Sequence, residues 1–115
     1  MTPPTDPLRD LAKSTLAFYA RFDVQPQLDP ATLVLQEEVD ELIEAAHDGE
    51  GVQRVAEEAA DVLVTVIGLC DAAGVSVDDL VTQMYAVIDK NDAKTHATHA
   101  VNAAGKIARR TETQA

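Results

Sequence analysis

The sequence predicts an all-α protein of four helices, and three features of the chain support this prediction. Apolar residues recur at three- and four-residue spacing in four separate segments. Cap residues, prolines and glycines of the kinds that begin and end helices delimit these segments. No segment alternates between apolar and polar residues as a half-buried strand does. The Val-rich stretch VLVTVIGLC has high strand propensity, but helix formers precede it, and we assign it to a helix.

The first predicted helix begins in the segment DPLRDLAKSTLAFYARF. Asp6 is placed to cap it, and Pro7 takes the first helical position, where a missing backbone N–H breaks no helical hydrogen bond. The residues at helical spacing are Leu8, Leu11, Thr15, Tyr19 and Phe22. The aromatic residues of FYARF are more typical of a core than of a nucleobase pocket. We expect the helix to end before DVQPQLDP.

The second predicted helix opens with another cap-and-proline pair, Asp29 and Pro30, and runs to about His47, where HDGEG interrupts it. At about 100° per residue, one side of this helix is apolar. The predicted core face consists of Leu35, Val39, Leu42, Ile43 and Ala46. Asp40 and Glu44 point nearly opposite and are expected in solvent.

A short segment that contains Gly74 and Ser76 separates the third predicted helix from the fourth. The third is expected from about Val52 to Ala73, and Gly74 follows it in the position where a left-handed residue often ends a helix. Ser76 is placed to cap the fourth helix. The apolar residues of the fourth helix are Val77, Leu80, Val81, Met84, Val87 and Ile88.

The segment after residue 94 has only a weak apolar pattern. We interpret residues 1–94 as a helical domain, and residues 95–115 as a tail, a short fifth helix or an arm that orders against a neighbouring subunit. His96 and His99 are interpreted as surface residues rather than metal ligands, because no third ligand is near. The basic residues Lys106, Arg109 and Arg110 either solubilise the tail or reach a phosphate in a neighbouring subunit, and the first interpretation is favoured.

Size, charge and cysteine content limit the functions open to the chain. At 115 residues and 12.3 kDa it is expected to form one domain, too small for a deep pocket of its own. Its net charge of −11 disfavours nucleic acid and anionic membranes as partners. The sequence shows no basic leader and no run of about 18 apolar residues. The single Cys70 indicates a reducing compartment, and we predict a cytoplasmic protein.

Two pairs of acidic residues lie on helix faces where their neighbours are apolar. Glu38 and Glu41 share a side stripe of the second helix with small and apolar residues. Glu58 and Asp61 share a face of the third helix. Because the linker between these helices is short, they should pack as an antiparallel hairpin, and the two pairs can then face each other.

Four carboxylates at a partly dry site would repel one another and destabilise the fold unless a cation compensated them. Mg²⁺ is the expected ion, with Mn²⁺ as a substitute, because it prefers oxygen ligands and lets substrate phosphates complete its coordination. It would also bridge an acidic protein and an anionic substrate. The competing interpretation is a solvated acidic face, since these spacings are common in acidic helices.

The order of these motifs resembles the MazG-type family of all-α nucleoside triphosphate pyrophosphohydrolases, relatives of the dimeric dUTPases and of phosphoribosyl-ATP pyrophosphohydrolase. The resemblance rests on LQEEVDELIEAA, EEAADVLVTVIGLCDAAG and VIDKNDAK, which match the EExxE, ExxD and KNxxK elements of that family. It implies a four-helix MazG-like bundle that hydrolyses a nucleoside triphosphate to the monophosphate and pyrophosphate with Mg²⁺. House-cleaning of the nucleotide pool is the favoured role, and phosphoribosyl-ATP hydrolysis is the alternative within the enzyme class.

The resemblance also implies roles for the matching acidic residues. Glu38 and Glu41 correspond to the first pair of metal ligands, and Glu58 and Asp61 correspond to the second. Glu37 takes an additional acidic position. We expect it to position or deprotonate the attacking water, or to bind a further metal ion.

The resemblance further implies that Lys90, Asn91 and Lys94, near the end of the fourth helix, contact the substrate phosphates. A third helix that is apolar nearly all round cannot be covered by three short partners, so we expect a homo-oligomer, with a tetramer favoured over a dimer. A different class of function also stays open, a non-catalytic acidic module that binds another protein. Added Mg²⁺ should stabilise an enzyme of the proposed kind and leave such a module unchanged.

Overall fold

The computed structural model describes residues 5–110, and these contain four α-helices followed by a β-hairpin. The helices are α1 (Pro7–Arg21), α2 (Leu28–His47), α3 (Val52–Ala72) and α4 (Val77–Asp92). The strands are β1 (His99–Val101) and β2 (Ile107–Arg109). The prediction of an all-α, four-helix chain is confirmed, and the helices are consistent with a MazG-like bundle.

The chain divides after Val77 into two compact units. The first contains α1, α2 and α3, and the second contains the hairpin and α4 beyond its first residue. The predicted division at residue 94 into a helical domain and a tail stays a prediction. The acidic pairs therefore lie in the first unit, and the residues expected to contact phosphates lie in the second.

The helix starts follow local capping, with one departure from prediction. Asp6 caps α1 as expected, since its Oδ1 accepts a hydrogen bond from the backbone N of Arg9 at 3.1 Å. At α2 the prediction was wrong by two residues, because the helix begins at Leu28 and Gln27 is the N-cap. The backbone N of Ala31 donates to Gln27 O at 2.9 Å, which extends the helix by part of a turn. Asp29 consequently lies in the first turn, where its charge favours the positive end of the helix dipole.

α2 and α3 form an antiparallel hairpin. Four residues connect them, and two of these, Gly49 and Gly51, adopt φ values of +64° and +99° that side chains rarely tolerate. The two helices pack along their lengths, and α1 packs against α3. The buried residues of the first unit are Ala12, Thr15, Ala45, Glu58, Thr65, Ile67 and Gly68.

The face of α2 that contacts the rest of the first unit is rotated from the predicted one. Leu35 and Leu42 are half-buried as expected, but Ile43 is 50% exposed and Ala46 is also exposed. Ala45, which shares its stripe with the acidic pair, is instead only 2% exposed. A small side chain at this position lets α3 approach α2 closely, which brings the acidic stripe toward the interface.

α3 is less enclosed than predicted. Thr65, Ile67 and Gly68 are buried, but Leu63 is 48% exposed and Cys70 is only half-buried. Within residues 5–110 no single helix is long and apolar enough to cross a membrane. α3 and α4 taken together meet a criterion of length and composition that buried core helices also meet.

The C-terminal segment forms a β-hairpin, so the alternative of a short fifth helix is wrong for residues 95–110. β1 and β2 pair antiparallel, with His99 opposite Arg109 and Val101 opposite Ile107. The Asn102 side chain closes the turn by accepting hydrogen bonds from Ala104 N and Lys106 N, both at 3.0 Å. Gly105 supplies the left-handed residue of the turn, with φ +80°. These local bonds fix a hairpin whose strands are too short to show a sequence pattern.

Candidate active site

The acidic pairs of α2 and α3 lie level with each other in the antiparallel hairpin. Glu38 is nine residues before the end of α2, and Asp61 is nine residues after the beginning of α3. Glu41 and Glu58 are likewise six residues from those ends. Carboxylate oxygens of Glu38, Glu58 and Asp61 lie within 4.8 Å of one another. Glu41 interacts through its carboxyl group with both Glu38 and Glu58, so the structure brings all four residues together.

Burial makes this acid cluster electrostatically unfavourable when it holds no cation. Glu58 is only 2% exposed, whereas Glu38 is half-buried. The pKa of Glu38 is raised above 4.5, first by burial and then by Glu41, Asp61 and Glu58. The pKa of Glu58 is also raised, first by burial and further by Glu41 and Asp61, and Arg54 opposes this rise. Each additional negative charge therefore disfavours the ionised form of its neighbours.

Arg54 is a member of the site that the sequence reasoning missed. Its Nη2 lies 2.5 Å from Glu58 Oε1, one turn along α3, and its guanidinium is about half exposed at the edge of the cluster. It also approaches the exposed Glu50 and Glu57, at 3.7 and 3.6 Å. The i,i+4 spacing of Arg54 and Glu58 was the available signal. Without a metal ion, Arg54 is the cation that compensates the buried carboxylate.

The cluster has the donor set that a divalent cation requires. Glu38 Oε2 and Glu58 Oε2 are buried, and neither has a hydrogen-bond partner among residues 5–110. Buried acceptors are normally satisfied, so these two oxygens indicate a missing ligand. Opposite ligands of an octahedral Mg²⁺ lie about 4 Å apart, and the carboxylate oxygens of Glu38, Glu58 and Asp61 all lie within 4.8 Å of one another. A hard cation bound by carboxylate oxygens therefore fits the residues present.

Two further acidic residues of α2, Glu37 and Glu44, are not in the cluster. Glu37 is exposed and is not in the group of acids within 4.8 Å. Its expected role with the attacking water stays a prediction. Glu44 and His47 are also exposed, as the helical projection indicates for Glu44. The difference between Glu44 and Glu41, three residues apart, defines which face of α2 carries the site.

An apolar cavity of about 250 Å³ opens one helical turn from the acid cluster. Val34 of α2 precedes Glu38 by four residues, and Thr65 of α3 follows Asp61 by four, and both line the cavity. Tyr19 of α1 also lines it, while the neighbouring Phe18 and Phe22 are largely exposed. Burial, with Asp71 nearby, raises the pKa of the Tyr19 phenol, which keeps the phenol neutral. Tyr19 therefore lines a cavity, and a nucleobase pocket formed by FYARF stays a prediction.

The residues expected to contact phosphates occupy the end of α4 and the segment after it. Lys94 is half-buried, and its Nζ donates a hydrogen bond to Asn91 Oδ1 at 2.9 Å. Both residues line a second cavity of about 480 Å³ within the second unit. Lys90 is exposed on α4. The proposed phosphate contacts of these three residues stay a prediction.

Comparison with known proteins identifies the family. Residues 20–91 match the phosphoribosyl-ATP pyrophosphohydrolase family, a span that contains both acidic pairs and Asn91. No curated protein and no solved structure gave a match. Since the matched region covers more than half of the chain, the protein belongs to the phosphoribosyl-ATP pyrophosphohydrolase family, within the MazG-like superfamily of all-α nucleoside triphosphate pyrophosphohydrolases, and is a hydrolase that acts on acid anhydrides.

Proposed function

We propose that the protein hydrolyses phosphoribosyl-ATP to phosphoribosyl-AMP and pyrophosphate, with Mg²⁺ bound by Glu38, Glu41, Glu58 and Asp61. The observation that carries this proposal is the pair of buried oxygens, Glu38 Oε2 on α2 and Glu58 Oε2 on α3, that have no hydrogen-bond partner in the described part of the chain. They belong to carboxyl groups that have oxygens within 4.8 Å of each other. A protein-binding module has no need of such oxygens. The family match favours the phosphoribosyl nucleotide over a general house-cleaning role.

The reaction transfers a phosphoryl group to water. The oxygen of water forms a bond to one phosphorus of the α–β anhydride, the anhydride P–O bond breaks, and pyrophosphate leaves. A bound divalent cation would neutralise phosphate charge and orient the triphosphate. Glu37, beside Glu38 on α2, would accept the proton of the water, since it is exposed and not engaged in the cluster.

Arg54 extends the site toward the substrate. Its guanidinium is half exposed and already borders the acid cluster, so it can contact a phosphate oxygen when metal replaces it at Glu58. Arginine suits this role because it stays charged and donates several hydrogen bonds at once. Lys90, Asn91 and Lys94 belong to the second unit and are proposed separately as contacts for substrate phosphates.

The cavity beside the cluster suits part of the nucleoside. Tyr19 and Val34 offer apolar surface, and Thr65 contributes a hydroxyl that donates to Val62 O at 2.8 Å. One helical turn is about 5.4 Å, roughly the distance from a metal-bound phosphate chain to an attached sugar. We propose that this cavity holds the ribose or base next to the triphosphate.

A panel of nucleotides with separate detection of pyrophosphate and orthophosphate tests this function. Phosphoribosyl-ATP, ATP, dUTP and dCTP would be offered to the protein with Mg²⁺ or Mn²⁺. We expect pyrophosphate release, fastest with phosphoribosyl-ATP and abolished by chelation. Preference for dUTP or dCTP would replace the proposed substrate, and orthophosphate alone, or no product from any nucleotide, would refute the function.

A further inference from the structure

The C-terminal hairpin lies outside the family match and carries charge of the opposite sign to the rest of the chain. Residues 93–110 contain Lys94, Lys106, Arg109 and Arg110, and no acidic residue. The whole chain has 20 acidic and 9 basic residues. A run of cations on a protein surface is usually exposed to solvent and has no ligand. Here one of these cations, Lys94, lines a cavity together with His96 and His99.

Pairing of the two strands places part of this charge on one face. Residues directly opposite in an antiparallel pair project to the same side, and the pattern repeats every second residue. His99 opposite Arg109 and Val101 opposite Ile107 therefore share one face of the hairpin. That face points into the cavity of about 480 Å³, because His99, Val101 and Ile107 all line it.

The rest of the cavity wall comes from the end of α4 and the turn after it. Asn91, Lys94, Thr95 and His96 line this side, opposite the apolar Val101 and Ile107. The cavity thus has hydrogen-bond donors on one wall and apolar surface on another. Arg110 secures the turn, since its backbone N donates to Thr98 O and its Nε donates to His96 O, at 2.8 and 2.7 Å.

His99 lies among cations within this wall. Burial lowers its pKa, and the charges of Lys94, Arg109 and Lys90 lower it further. Its Nδ1 lies 2.7 Å from Thr98 Oγ1. Three cations around one half-buried imidazole repel one another, and an anion in the cavity would relieve that repulsion.

We propose that this pocket binds a phosphate monoester through Lys94 and His99, which line it, and through Arg109, the strand partner of His99. The sugar that carries the phosphate would lie against Val101 and Ile107. A dianion is the ligand that best offsets the local charge, and Asn91 and Thr95 add uncharged hydrogen-bonding groups. The inference rests on the proposed function only for the identity of the carrier. Phosphoribosyl-ATP has such a monoester at its phosphoribosyl end, distinct from its triphosphate.

Phosphate titrations of the metal-free, full-length protein test this proposal without catalysis. Inorganic phosphate and ribose 5-phosphate would be added while binding is followed by calorimetry and the His99 imidazole by NMR. We expect saturable binding and a rise in the pKa of His99, because the bound anion favours the imidazolium. Lys94→Gln and Arg109→Gln should each weaken binding about tenfold, the loss expected for one charge-assisted hydrogen bond.

Lys106→Gln is the matched control, since it removes the same charge from the same hairpin, but Lys106 does not line the cavity and is not among the charges that lower the pKa of His99, as Lys94 and Arg109 are. It should change phosphate affinity less than about twofold, as a surface charge does. Circular dichroism checks that each variant keeps its helices. No saturable binding of either probe, or an equal loss in Lys106→Gln, would overturn the proposal.

Comparison of ribose 5-phosphate with inorganic phosphate tests whether the pocket also recognises the sugar that carries the phosphate. Tighter binding of ribose 5-phosphate than of inorganic phosphate supports a phosphosugar, and equal binding supports a site for the phosphate group alone. Glu58→Gln should retain phosphate binding. Failure of pyrophosphate release with intact phosphate binding would therefore refute the proposed function, whereas the reverse result would refute only this inference.

Discussion

Glu38 on α2 and Glu58 on α3 each bury a carboxylate oxygen that has no hydrogen-bond partner among residues 5–110. Both carboxyl groups have a raised pKa, with burial as the largest cause. Burying two like charges side by side lowers the free energy of unfolding when no cation is bound. This loss is large for a chain of this size, whose total stability is small. A divalent cation bound by these carboxylates would make the arrangement favourable.

Removal of one carboxylate of the acid cluster should lower activity without lowering the stability of the metal-free protein. We expect Glu38→Gln, Glu41→Gln, Glu58→Gln and Asp61→Asn each to lower activity by about 100-fold or more, as metal-site substitutions do. In metal-free protein the same substitutions should maintain or raise the melting temperature, because a like charge is lost. Thermal unfolding with and without Mg²⁺ measures these melting temperatures. The increase in melting temperature on addition of Mg²⁺ should be smaller in each variant than in wild type.

Glu44→Gln is the control for these variants, because Glu44 is on α2 but exposed. It should alter neither activity nor the response to Mg²⁺. An equal loss of activity in Glu44→Gln and Glu58→Gln would mean that the face of α2 carrying the site has been misassigned.

The pH dependence of stability should depend on whether metal is present. Since the pKa values of Glu38 and Glu58 are raised above 4.5, the folded protein holds these protons more tightly than the unfolded chain. Their stabilising contribution is fully present below about pH 4.5 and is lost as pH rises through the raised pKa values. The free energy of unfolding of metal-free protein should therefore fall over that range, and fall less in Glu58→Gln.

Mg²⁺ should reverse this trend, because it binds the deprotonated carboxylates and its stabilisation grows with pH. Urea unfolding at several pH values, with Mg²⁺ or with chelator, measures both effects. Identical pH profiles for wild type and Glu58→Gln in chelator would contradict the proposed titration.

Arg54 should contribute most to thermal stability when no metal is bound. Arg54→Gln leaves the buried Glu58 without its neighbouring cation and should lower the melting temperature of metal-free protein. Mg²⁺ should recover most of this loss, because it neutralises the same carboxylate. Lys13→Gln, which removes an exposed cation from α1, is the control and should have little effect. A loss in Arg54→Gln that Mg²⁺ leaves unchanged would argue against competition for Glu58.

The helices and the acidic pairs could be predicted from sequence, because caps, glycines and three- to four-residue spacing act locally. The rotation of α2 could not, since Ala45 and Ile43 differ in burial only through the approach of α3. The projection centred the core face on Leu35, Leu42 and Ile43 and left Ala45 on the side stripe, whereas close helix packing favours the small side chain of Ala45. The hairpin was missed because its strands are three residues long, although Asn102 and Gly105 carried a turn signal.

Gly68 allows Tyr19 to approach α3 at the cavity wall. A Cβ at residue 68 would lie 2.7 Å from the Tyr19 hydroxyl oxygen, but no nearer than 3.3 Å to the ring. Gly68→Ala gains about 1 kcal/mol of helix propensity but introduces overpacking of about 1–3 kcal/mol. We expect net destabilisation in the wild-type background and stabilisation when combined with Tyr19→Phe. A double-mutant cycle by urea unfolding measures this, and the same sign in both backgrounds would contradict the contact.

Assembly stays a prediction, and the exposure of apolar side chains in the single chain supports it. Phe22, Leu33 and Tyr85 are all largely exposed. We expect a homo-oligomer, with a tetramer favoured over a dimer. Multi-angle light scattering at micromolar concentration measures the mass. A fully active species of about 12 kDa, the mass of one chain, would refute the prediction and any site shared between subunits.

Phosphorus NMR of the reaction products decides whether the acid cluster is a pyrophosphohydrolase centre. Phosphoribosyl-ATP would be incubated with wild-type protein, Glu58→Gln and Glu44→Gln, each with Mg²⁺ and with chelator. We predict pyrophosphate and phosphoribosyl-AMP from wild type and Glu44→Gln only when Mg²⁺ is present, and almost no product from Glu58→Gln. Orthophosphate as the sole product, or equal pyrophosphate release by Glu58→Gln, would contradict the assignment.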